Sequence, residues 1–266
     1  MKTFHSLFLA AVFSGGLVLA SQAASGSVTQ RGPSQLQLDA RSQIDPSEAA
    51  PDTKGTMRLQ FRDNGKVTKQ TLQIQASGLE PNAQVGLTAA IDVDSNVSTI
   101  MSVPTDGNGN VNLSFQSKEP TGARTPRGQE PVPDSLSTLT SVRAICIENT
   151  GGQVVGFAWV VNATTYKYIV RRNLTPADDG GTAAGSIKLI ANQQRVNFTL
   201  LAGGLTPDAE YSLVLNGTAA TTATADGDGR LRIRGWPTSA PGPLEVRTLA
   251  LVDGGGATVL STALPE

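Results

Sequence analysis

Polar and apolar residues take turns along much of this chain. Leu72, Ile74 and Ala76 alternate with Gln73, Gln75 and Ser77, and Val111, Leu113 and Phe115 alternate with Asn110, Asn112 and Ser114. Further on, Val196, Phe198 and Leu200 alternate with Asn197 and Thr199, and Leu231 and Ile233 alternate with Arg230, Arg232 and Arg234. A period of two sends successive side chains to opposite faces of a strand, so each segment predicts a strand with one dry and one wet face. "VRAICIE" differs in being apolar on both faces: Ile145 and Ile147 share one, Ala144 and Cys146 the other. That pattern predicts a central strand and makes Cys146 a small buried hydrophobe rather than a reactive thiol. Gly and Pro punctuate the chain at short intervals, and no long stretch carries apolar residues at helical spacing.

The alternating segments come in two sets. "GTMRLQF" from Gly55 matches "GSIKLIA" from Gly185, and "ASGLEPNAQVGLT" from Ala76 matches "AGGLTPDAEYSLV" from Ala202. "TDGNGNVNLSF" from Thr105 matches "ADGDGRLRIRG" from Ala225, and "SVRAICIENTGG" from Ser141 matches "EVRTLALVDGGG" from Glu245. Four matches in one order predict an internal duplication, with six or seven short strands per copy. The expected fold is all-β: two tandem antiparallel sandwich domains, at 55–172 and 185–266, joined by a linker of small residues at 173–184. Residues 24–54 read as a flexible polar lead with at most one short added strand, and 117–135 as a long loop in the first domain.

Within the second copy, "GLTPDAEYSLVL" resembles the Leu-x-Pro-x-x-x-Tyr segment of fibronectin type III and related immunoglobulin-like sandwiches. The resemblance implies that Leu205, Pro207 and Tyr211 form a corner, with the Tyr hydroxyl tying the loop backbone and its ring in the core. The first copy keeps Leu79 and Pro81 but has Val85 in place of the Tyr. The match covers about a dozen residues per copy; it implies an architecture and no particular activity.

The chain opens with Lys2, a mostly apolar run over 7–19, and the small residues of "SQA". These predict a signal peptide over 1–23 and an exported, secreted or periplasmic protein of bacterial type. That run is too short and Gly-interrupted for a membrane span, and no second apolar run appears. The only histidine, His5, falls inside that leader. A mature chain without imidazole and with a single Cys has no Ser-His-Asp or Cys-His catalysis and none of the usual zinc, copper or haem ligand sets. No catalytic residue is therefore assigned. Lys and Arg number 21 against 22 Asp and Glu, a net charge of -1, and no basic stripe stands out along the sequence, so no nucleic-acid partner is expected.

Three kinds of site remain. For ligand binding, Trp236 in the Pro-rich "RGWPTSAPGP", and Arg124 and Arg127 in the long loop, are the candidates; Trp159 in "VVGFAWVV" reads as core. For calcium, Asp106, Asn108 and Asn110 stand at alternate positions, as EF-hand ligands do, but Val111 and Ser117 replace the Gly and Glu that such a loop needs. Its sister carries Arg230 in place of Asn110, so both loops read better as hairpin turns. Asp92 and Asp94 are a second calcium candidate. The function expected is adhesion, surface structure or binding of a protein or glycan at the cell envelope, without catalysis and without a cofactor other than calcium. The alternatives are a carbohydrate-binding module or carboxylate-based glycoside hydrolase, and a calcium-stabilised adhesin.

Overall fold

A computed structural model describes residues 34–91, 97–119, 131–133, 136, 139–160, 162–178 and 181–264. The chain is all-β: among the described residues sixteen strands pair antiparallel in one continuous, curled sheet. The first eight are β1 Gln35–Pro46, β2 Lys54–Asp63, β3 Thr68–Ser77, β4 Gln84–Ala90, β5 Val97–Pro104, β6 Val111–Glu119, β7 Ala144–Glu148 and β8 Val154–Trp159. The second eight are β9 Thr165–Pro176, β10 Ala184–Asn192, β11 Val196–Gly203, β12 Glu210–Leu215, β13 Thr218–Thr224, β14 Leu231–Arg234, β15 Thr248–Asp253 and β16 Thr258–Ala263. A short 3-10 turn, Leu139–Ser141, precedes β7.

Eight strands lie side by side in the order β6-β3-β2-β1-β9-β10-β11-β14. At its end β1 bends away and pairs with β8 through Asp45 and Pro46, opening a flap ordered β8-β7-β4-β5. In the same way β9 pairs with β16 through Thr175 and Pro176, opening the flap β16-β15-β12-β13. The pairings among β1–β8 thus recur among β9–β16, and the register recurs with them. Gly55 faces Ile44 and Ala76; Gly185 faces Leu174 and Ala202. Irregularities fall after Leu87 and Leu213, and after Ile147 and Leu251.

Alternation decides what the core contains. Leu36, Leu38 and Ala40 of β1 face Val170, Tyr168 and Tyr166 of β9, so the apolar side of the long sheet is continuous through the junction. Against it pack Leu87, Ala89, Ile145 and Ile147 of one flap and Leu213, Leu249 and Leu251 of the other, all buried. Burial of this kind is worth about 25 cal/mol per Å² of apolar surface and is what holds a chain with no disulfide together.

The boundaries expected from sequence need correcting. The polar lead over 24–54 contains β1, a twelve-residue strand at the middle of the sheet. "TYKYIVRR", read as the end of the first domain, opens β9, which also takes Asn173–Pro176 out of the expected linker. The sequence repeats begin at Gly55 and Gly185, one strand after β1 and β9, whose sequences resemble each other only weakly. Leu36, Leu38 and Ala40 bury a face with only one large residue type, and the flanking Gln, Asp and Arg gave the stretch the composition of a loop.

Candidate functional site

The same alternation that buries one face of the long sheet exposes the other. Residues on that outer face include Gln37, Asp39 and Arg41 on β1, Arg58, Gln60 and Arg62 on β2, and Lys69 and Gln73 on β3. Lys167 and Arg171 on β9, Lys188 on β10, Thr199 on β11, and Arg232 and Arg234 on β14 continue it across the second half. Among the described side chains ten basic ones stand there: Arg41, Lys54, Arg58, Arg62, Lys69, Lys167, Arg171, Lys188, Arg232 and Arg234. Among the described residues of this ladder the one acid on the same face is Asp39. The charge count of the whole chain hides this separation, because the acids sit mainly in turns and flap edges.

Cations face cations across the ladder. Arg41 is registered opposite Arg58, Arg62 opposite Lys69, and Arg171 opposite Lys188. Asp39 relieves the first of these. Its Oδ1 and Oδ2 accept hydrogen bonds from Arg58 Nε and Nη2 at 3.2 and 3.0 Å, and Oδ2 accepts a third from Gln60 Nε2 at 2.8 Å. Burial pushes the Asp39 carboxyl up, but these bonds and the charges of Arg58 and Arg41 outweigh it and hold the group below the usual carboxylate range.

Beside a depression of about 700 Å³ at Lys167, Ile190 and Asn192, two others mark the face. One, about 430 Å³, is lined by Arg41, Arg58, Thr56, Gln73, Gln75 and Thr165, among others. The other, about 340 Å³, is lined by Arg171, Lys188, Arg232, Ser186, Thr199 and Asn173, among others. The two occupy the same strand positions in their halves. Arg41 and Arg171 lie three residues before the paired Ile44 and Leu174, and Arg58 and Lys188 lie three after Gly55 and Gly185. Neither lining contains a carboxylate.

The residues singled out from sequence are elsewhere. Trp236 is half-buried rather than free: its Nε1 donates to Pro241 O at 3.0 Å and its ring meets Phe198 edge-on, centroids 5.5 Å apart. It anchors its own loop. Trp159, expected in the core, is 42% exposed, with its ring edge-on to Phe157 at 6.3 Å between centroids. Cys146 is half-buried rather than enclosed; burial, and then the charge of Glu148, push its thiol up against a weaker pull from a Thr88 hydrogen bond. Asp92, Asp94, Arg124 and Arg127 lie outside the described residues.

Asp106 uses both carboxylate oxygens within its own turn. Oδ1 accepts the N–H groups of Asn108 and Asn110, each at 2.8 Å, and Oδ2 accepts Asn110 Nδ2 at 3.0 Å. These bonds lower its carboxyl, led by the Asn110 side chain. Asp226 does the same for the N–H groups of Asp228 and Arg230. The sequence leads to hairpin turns here, and the structure corrects that, because the strands they join do not pair: β5 pairs with β4, and β6 with β3. They carry the chain from flap to main sheet. Among the described residues no three His, Cys, Asp or Glu gather as a metal site would require, and no helix is long and apolar enough to cross a membrane.

No family model matches the sequence, and no curated protein is measurably similar to it. The outer face was legible in retrospect. "RLQFR" and "RIR" put Arg58, Arg62, Arg232 and Arg234 on the polar phase of their strands, and what was missing was which strands lie side by side.

Proposed function

We propose that this is an exported, non-enzymatic binding protein of the cell envelope, formed of two duplicated immunoglobulin-like sandwiches, with the outer face of the long sheet as its binding surface. The observation that carries this reading is the single broad basic face that both halves contribute, with like depressions at like positions. Recurrence of strand pairing and register in the two halves supports duplication. The Tyr211 hydroxyl accepts the Thr206 N–H at 3.0 Å, which is what the resemblance to fibronectin type III implies. Absence of histidine outside the leader, and a single thiol held protonated, support a role without catalysis.

Blocking the face tests the reading without touching its charge. Cys146 is first replaced by Ala, and a single Cys placed at Gln75 or Asn197 on the outer face, or at Thr222 on a flap, is capped with a bulky polyethylene-glycol maleimide. Retention on isolated bacterial envelopes should be lost for the first two and kept for the third. Equal retention of all three would overturn the assignment.

A further inference from the structure

Like charges directly opposite each other on neighbouring strands destabilise a sheet. Among the described side chains this sheet has three such pairs, Arg41–Arg58, Arg62–Lys69 and Arg171–Lys188, and only the first has a carboxylate to relieve it. Cations on the edge strand β14 have an ordinary explanation, since charge on an edge discourages pairing with other chains. That explanation does not reach β1, β2, β9 and β10, which have neighbours on both sides. Their uncompensated cations are what an anionic ligand would neutralise.

We propose that the outer face binds a linear acidic polysaccharide, with anionic groups of one chain seated in both depressions. This rests on reading the face as the binding surface and adds the chemistry of what it binds. Around the cations stand neutral hydrogen-bonding groups: Gln73, Gln75, Thr56 and Thr165 in one depression, and Ser186, Thr199 and Asn173 in the other. Such groups suit sugar hydroxyls, while the cations suit carboxylate or sulfate. Single-stranded nucleic acid fits less well, because binding it relies on aromatic stacking platforms and no aromatic side chain lies on the outer face among the described residues. A lipid surface fits less well too, because the large apolar residues of the outer face, Ile169, Ile190 and Leu201, are only partly exposed and form no long apolar stripe to enter it.

The spacing makes the ligand a polymer. The depressions are separated by about eight residues along the strands and three strand intervals across them, which is roughly 30 Å at ~3.3 Å per residue and ~4.8 Å per strand. An anion that fills one depression cannot reach the other. A chain long enough for both gains from the second contact as an intramolecular event. The second half is the stronger site, because Arg171, Lys188 and Arg232 converge there, whereas Arg58 is already bonded to Asp39.

Heparin oligosaccharides of graded length serve as the probe, titrated calorimetrically into the full chain beside neutral dextran, duplex DNA and phosphatidylglycerol vesicles. Two variants are compared: Arg171→Gln/Lys188→Gln/Arg232→Gln, and Arg41→Gln/Arg58→Gln. Affinity should rise at least tenfold once the oligosaccharide can span roughly 30 Å. The triple variant should bind at least tenfold more weakly, with a shallower salt dependence, as loss of counterion release requires. It should melt no lower than the parent, because the substitutions remove repulsion at exposed positions. No binding of any length at low salt, binding insensitive to both variants, or tighter binding of duplex DNA or vesicles would overturn the proposal. If the capped face still governs envelope retention but both Gln variants are retained in full, the binding surface stands and the polyanion falls.

Discussion

Leu38 and Tyr168 face each other where β1 meets β9, and each holds the same strand position in its own half. Leu38 lies six residues before Ile44, and Tyr168 six before Leu174, the residues that pair with Gly55 and Gly185. An approximate two-fold axis therefore passes through this pair. Both side chains are buried, at 4% exposure each, so the junction between the halves is core and not a linker contact.

That burial gives Tyr168 a distinctive titration. Enclosure pushes its phenol up to about 12, with the charges of Arg143 and Arg172 pulling weakly the other way. The group is neutral in the fold at all ordinary pH values, and a raised phenol pKa means that ionisation opposes folding as pH climbs from the ordinary value of 10 towards 12. Absorbance at 295 nm should show one of the three tyrosines resisting ionisation until about pH 12, and Tyr168→Phe should remove that late step. A late step that survives the substitution would contradict this burial.

Gly109 and Gly229 dock the two crossing turns. Each has a positive φ, 72° and 69°, and a Cβ there would stand 2.0 Å from Leu79 O or 2.2 Å from Leu205 O. Those contacts flank paired hydrogen bonds, Leu79 N–H to Gly109 O and Leu205 N–H to Gly229 O, both 3.1 Å. Gly109→Ala and Gly229→Ala should each cost at least ~2 kcal/mol in urea unfolding, because neither backbone can yield without breaking its bond. Gly227→Ala, with nothing within 4 Å of its Cβ, should cost less than ~1 kcal/mol.

The loops beside these turns are tied differently in the two halves. In the first, Thr105 Oγ1 donates to Glu80 O at 2.6 Å and accepts the Ala83 N–H at 2.9 Å. In the second, Ala225 stands in place of Thr105, and the loop is tied by Tyr211, which stands in place of Val85. Thr105→Val and Tyr211→Phe should each lower stability by about 1 kcal/mol, through loss of a part-buried hydrogen bond to the loop backbone. Thr105→Val combined with Val85→Tyr should recover part of the loss.

Asp39 ties stability to acid. Its carboxyl lies below its ordinary value, so its contribution is full above about pH 4 and is lost as pH falls below that, through the lowered value. Asp39→Asn should flatten the acid limb of a thermal-melt series below pH 4 and leave neutral-pH strand content unchanged in circular dichroism. An unchanged acid limb would show that the Arg58 and Gln60 bonds contribute nothing there.

Much of the β structure could be read from alternation alone, since Leu72, Ile74 and Ala76 or Phe198 and Leu200 bury as the period requires. The four repeat matches likewise fall on strands and turns that pair alike in both halves. What could not be read was which strands meet. Alternation fixes a face but not a neighbour, so the sequence offers at most a short strand where the twelve-residue β1 lies, and a linker at 173–184 that β9 enters as far as Pro176. The basic face needed that missing fact most, because Arg41 and Arg58, or Arg171 and Lys188, are far apart in sequence and become neighbours only through pairing. Trp236 misled for the opposite reason: a Pro-rich loop suggested exposure, but the loop closes on the indole through Pro241.

The continuity of the sheet through β1 and β9 underlies the shared face, and a distance measurement tests it directly. With Cys146 replaced by Ala, spin labels at Gln43→Cys and Asn173→Cys mark equivalent positions, ten residue rises apart along the β1–β9 ladder, or roughly 33 Å. Pulsed electron resonance should give one narrow distribution near that value. A broad distribution, or several separate distances, would show that the halves move independently and would contradict a single sheet.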